Sequence, residues 1–135
     1  HLMSVSLKYT KTCDVILNLI ERWKSMIELS FDALLEKAKK QKKIASLPTN
    51  PIQKIKFIKD TFKKDEIIQE VLTMFIFFKR IPELNKTRIG DFRKNVTLKV
   101  EESARKTTDI NMDKLKEYVD ILEKFISQVK HLLSK

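Results

Sequence analysis

A single glycine serves the whole chain. With only three prolines beside it in 135 residues, tight-turn chemistry is scarce, and a β protein needs it in quantity. Hydrophobic residues make up 42% of the chain and charged residues 34%, a balance that suits a folded globule and not a disordered basic tail. A chain of this length buries roughly 65–70% of its unfolded surface in one domain. The reading is therefore all-α: a single antiparallel helical bundle of four long elements, the second split near residues 63–65, about five helices in total. His1 and Leu2, ahead of Met3, are expected to be a cloning remnant.

Periodicity supports the helices one by one. Ile16, Ile20, Trp23, Ile27, Phe31, Leu34 and Ala38 recur every three or four residues and predict a helix over residues 6–43. Asp14, Asn18, Glu21, Ser25, Glu28, Asp32 and Glu36 line its opposite side. Val15, Leu17, Leu19, Met26, Ala33 and Leu35 widen the apolar arc to about 200°, twice what one-sided packing requires. Either this helix is central or it carries a second protein surface, and a symmetric homodimer is the favoured expectation.

Asn50, Pro51 and Gln53 form a helix-start pattern, with Ile52, Ile55, Ile58 and Phe62 as the stripe that follows. Asp65 is expected to cap a separate helix over residues 66–80, apolar almost all round, which Pro82 ends. Residues 87–106 read as the least hydrophobic helix, with a narrow seam of Ile89, Phe92, Val96, Val100 and Ala104. A last helix begins near Asn111, where Leu115, Leu122 and Val129 alternate with Tyr118, Phe125 and Leu132 in heptads.

Charge supplies the one functional clue. The net charge is +10, and residues 37–106 hold 19 Lys/Arg against 8 Asp/Glu, while the two flanks are nearly neutral. Such asymmetry attracts polyanions. In a bundle with short connections, residues 44–51 and 107–110 would share one end. Lys39, Lys40, Lys42, Lys43, Arg105 and Lys106 would then gather there, with Lys54 and Lys56 close by. Lys86, Arg88, Arg93, Lys94 and Lys99 would form a second patch on the third long helix. Backbone contact with RNA or DNA, without sequence reading, is the expected function, with a small subunit of a larger nucleoprotein complex as one form of it. The competing account of the first cluster is electrostatic: cations complement the dipole at a helix C-terminus. The alternative function is a dimeric helical adaptor for protein–protein interaction, whose partner could be acidic.

Other constellations carry less. Glu21, Glu28 and Asp32 lie opposite the apolar face without a histidine, so a solvated face is read there instead of a metal site. His131 falls on a polar side, and Cys13 on an apolar one; neither has a catalytic partner in view. Phe75, Phe77 and Phe78 read as core instead of a stacking platform. No nucleophile–base pair, metal set or phosphate loop points to an enzyme, and no cofactor is expected. One cysteine suits a reducing, cytoplasmic setting. The longest apolar run, residues 74–78, is far short of the ~20 residues a membrane span needs.

Overall fold

The computed structural model describes residues 12–90 and 96–135. Four helices, α1 (Cys13–Lys40), α2 (Pro51–Thr61), α3 (Glu66–Arg80) and α4 (Met112–Leu133), accompany three strands. The strands β1 (Asn85–Ile89), β2 (Thr97–Ser103) and β3 (Lys106–Ile110) form an antiparallel sheet in the order β1-β2-β3. The all-α expectation is overturned. Among the described residues there are four helices and not about five, and the described part of the stretch predicted as the third long helix lies in a sheet.

The reason lies in one spacing. Val96 and Val100 are four residues apart, and four satisfies both the helical repeat and the strand period of two. Leu98 decides between them. On a helix it would lie about 160° away from Val96; on a strand all three side chains share one face, and all three are buried. Lys99 and Glu101 alternate outward, and Thr97, Thr107, Thr108 and Ile110 add the β-branched side chains that pleated surfaces favour. The solitary glycine belongs to this sheet: Gly90, at φ 70°, turns the chain out of β1. Ala104 and Arg105 alone join the paired residues Ser103 and Lys106.

The helical expectations fare better. All seven residues of the predicted α1 stripe are buried. Asn50, Asp65 and Asn111 accept side-chain hydrogen bonds from the backbone N–H groups of Gln53 (2.8 Å), Ile68 (3.1 Å) and Lys114 (2.9 Å). Each such cap is worth about 1 kcal/mol. Thr12 caps α1 in the same way, and Ser6, where the sequence placed its start, lies outside the described residues. Pro82 ends α3, and the chain leaves through a short 3-10 turn, Ile81–Glu83.

Helix α1 is the central element, packed against α2, α3, α4 and β2, and this accounts for most of its wide apolar arc. Trp23, Phe78 and Tyr118 meet around it with ring centroids 5.1–6.4 Å apart. Two turns further on, Phe31 meets Phe75 and Phe125 edge to face. Among the described residues, no helix is long and apolar enough to cross a membrane.

Helix directions fix where the charges go. The Cys13 thiol donates to the Thr97 carbonyl (3.3 Å), so α1 starts at the sheet. Helix α4 starts there too, directly after β3. At the far end Lys37 Nζ donates to the carbonyl of Leu133 (2.6 Å), so α1 and α4 finish together. Helix α3 runs the other way: Asp65 at its start accepts from Gln128 of α4 (2.6 Å), and Arg80 at its end donates to the Glu102 carbonyl (2.9 Å). Helix α2 does not continue into α3 in one direction, as a split long element would. Pro51 and Ile55 face Phe75 and Lys79 across a small apolar hollow, so α2 and α3 form a helical hairpin.

Candidate nucleic-acid interface

Three helix C-termini (α1, α2 and α4) therefore converge on one pole, and of the described helices only α3 begins there. Lysines crowd this pole. Lys37, Lys39, Lys40, Lys42 and Lys43 come from the end of α1 and its exit. Lys63 and Lys64 form the α2–α3 link, and Lys130 and Lys135 close α4. Adjoining hollows connect them: one is lined by Lys37, Lys43, Phe62, Leu132 and Lys135, the next by Lys63, Lys64, Leu132 and Lys135. Against these nine lysines stand Glu36, Asp60, Asp65 and Glu66. Asp65 is already engaged by Ile68 and Gln128. None of the nine lysines makes an ion pair among the described residues.

The local backbone explains the lysine run. Helix α1 ends in a double reversal, with the Lys43 N–H on the Ala38 carbonyl (2.8 Å) and the Lys42 N–H on that of Lys39 (3.0 Å). This places Lys42 at φ 61°, a left-handed conformation that usually selects glycine. Here a lysine holds it, at a cost of about 1–2 kcal/mol. Part of the lysine excess has a structural role, because cations offset the negative ends of the converging helices at about 0.3–1 kcal/mol each. Lys37 does so directly, donating to the carbonyl of Leu133.

The sequence placed Arg105 and Lys106 beside this cluster, and the structure does not. They sit on the β2–β3 turn, at the opposite end of α1, whose 28 residues span about 42 Å. The separation follows from the sheet: with no third long helix, nothing carries residues 87–106 back to the pole. Lys54 lies on the flank of α2, paired with Asp32 at 3.0 Å, and Lys56 is exposed on the same helix.

Of the second expected patch, Lys86 and Arg88 are engaged in structural contacts. Lys86 Nζ donates to the carbonyls of Ile81 (2.9 Å), Pro82 (3.3 Å) and Leu84 (3.0 Å), tying β1 to the end of α3. Arg88 pairs with Asp14 at 2.7 Å, and its guanidinium holds the Asp14 carboxyl below the usual aspartate range by hydrogen bonding and charge. Lys106 lies 3.8 Å from Glu102. Lys99 is on the outer sheet face, flanked in register by Thr87 and Asp109. Arg93 and Lys94 lie outside the described residues.

Of the remaining sequence candidates, His131 lies beside Lys130 in the last turn of α4, at the pole, and the others stay apart from it. Glu21 pairs with Lys24, and Asp32 with Lys54. Among the described residues no group of three His, Cys, Asp or Glu side chains is placed to hold a metal. His131 is exposed, Cys13 is buried, Phe75 and Phe78 are core, and Phe77 is half-buried. Sequence reasoning named Lys39, Lys40, Lys42 and Lys43 and missed Lys37, Lys63, Lys64, Lys130 and Lys135. The break at residues 63–65 was visible, but its reversal of direction was not.

The molecule is thus a mixed helix–sheet protein with a lysine-rich pole opposite its sheet. No protein-family model, curated protein or solved structure matches the chain.

Proposed function

We propose that this protein is a binding module that contacts the sugar-phosphate backbone of RNA or DNA through its lysine pole, without reading sequence. The observation that carries this reading is the gathering of nine lysines against four acids at one pole, with no ion pair among them in the described residues. Lysine acts on phosphate as a mobile point charge, and each contact releases condensed counterions. The aromatics also favour backbone contact over base stacking. Phe75 and Phe78 are buried, and the described outer face of the sheet presents Asn85, Thr87, Ile89, Thr97, Lys99, Glu101, Thr107 and Asp109. That face is mixed in charge and offers bases no ring to stack on.

The test is a fluorescence-anisotropy titration with arbitrary single-stranded RNA and duplex DNA. Affinity is expected to fall steeply between about 50 and 200 mM salt, with little dependence on sequence. Replacing Lys39, Lys40, Lys42 and Lys43 by alanine should flatten the salt dependence. Absence of binding at the lowest salt would remove the reading.

A further inference from the structure

We propose that two copies of this chain pair through α1, antiparallel, with Leu29 on the two-fold axis. Leu29 is 71% exposed at the middle of α1. A lone exposed leucine is ordinary on any surface; this one borders a trough. Met26, Leu29, Ala33, Val129 and Leu133 line it between the parallel helices α1 and α4, with Glu21 and Arg22 at one end. A second hollow continues it past Ala33 and Leu133 to Glu36, Lys37 and Lys40.

The seam on α1 reads Arg22, Met26, Leu29, Ala33, Glu36, at spacings of 4, 3, 4 and 3. That is the 3.5-residue repeat of a helix–helix contact line. Charge complementarity selects a second copy as the occupant. Pairing α1 with itself through Leu29 sets Arg22 against the partner's Glu36. Each contact occurs twice, as an isologous interface requires. Ser25 meets the partner's Ala33, so small side chains flank the axis and the helices can approach closely. A parallel pairing would instead oppose like charges along the seam and bring both lysine poles together. The antiparallel pairing sends the poles to opposite ends of the dimer. It borders Lys37 and Lys40 but leaves the rest of each pole open, so dimerisation and nucleic-acid binding are read by separate measurements.

Light scattering across about 1–100 µM protein tests it, since a dimer is concentration-dependent. The expected mass is twice the chain's 16.0 kDa, falling to a single chain in Leu29→Glu with the far-ultraviolet dichroism unchanged. Arg22→Glu alone should weaken dimerisation about 2- to 30-fold, the range for two exposed ion pairs, and Glu36→Arg added to it should restore the wild-type constant. A single-chain mass for the wild type at about 100 µM would leave the trough to a different protein and overturn the proposal. So would a dimer that survives Leu29→Glu, or a double charge swap that fails to restore pairing.

Discussion

The two ends of the molecule hold cations for different reasons. At the sheet end Arg80, Lys86, Arg88 and Lys106 each hold a carbonyl or a carboxylate. At the opposite pole nine lysines face four acids, and among the described residues only Lys37 makes a hydrogen bond of this kind across the fold. A count of basic residues along the sequence ranks the two regions alike; a count of their partners does not. Positive charge becomes available to a ligand only where the fold has not already engaged it. At the pole the fold engages it weakly, through the helix ends.

The comparison can be broken most sharply through stability. Phe78 is fully buried between Trp23 and Tyr118, close under the sheet. Phe78→Ala should cost about 3–5 kcal/mol in chemical denaturation, whereas alanine at any one of the pole lysines should cost less than about 1 kcal/mol. Equal losses would mean that the pole lysines are structural.

Binding gives the next largest contrast. Removing Lys39, Lys40, Lys42 and Lys43 should reduce the slope of log affinity against log salt by about 3–4, if each neutralises one phosphate. Removing Lys86, Lys99, Arg105 and Lys106 should leave that slope unchanged. A reversed outcome would move the interface to the sheet.

A pH experiment sharpens the sheet end alone. Burial first, then the charges of Glu102 and Glu117, push the Tyr118 phenol well above its ordinary range. An unfolded tyrosine ionises near pH 10, so the unfolded state loses this proton first. The stabilisation from a neutral Tyr118 is complete below about pH 10 and is lost as pH rises beyond it. Tyr118→Phe should lessen the decline in denaturation midpoint above that pH, and an unchanged decline would refute the assignment.

The smallest effect is at Lys42. Relief of its left-handed strain in Lys42→Gly should raise stability by up to about 1 kcal/mol, with greater unfolded-state freedom taking back part of the gain. A thermal melt would read it.

Much of the helical part was legible in the chain. The α1 stripe, the caps at Asn50 and Asp65, the helix start near Asn111 and the stop at Pro82 are local signals that packing did not override. The sheet was not legible from glycine counting, because one glycine and a two-residue Ala104–Arg105 turn suffice for three short strands. The fourfold spacing of Val96 and Val100 then hid the strand period, and Leu98 was the residue that betrayed it. The lysine run of α1 could be read directly. Lys63 and Lys64 join it because α2 turns back along α3, and Lys130 and Lys135 because α4 runs parallel to α1, long-range arrangements that no local pattern encodes.

The shared direction of α1, α2 and α4 gives the pole a property that residue charges alone conceal. Beneath the lysines lies a concentration of backbone carbonyls from three helix ends, an electronegative floor under a cationic coat. Stripping the coat would therefore not leave a neutral surface but uncover one that repels phosphate. Chemical acetylation of these lysines should accordingly act less like a dimmer than like an inverter of the molecule's electrical axis.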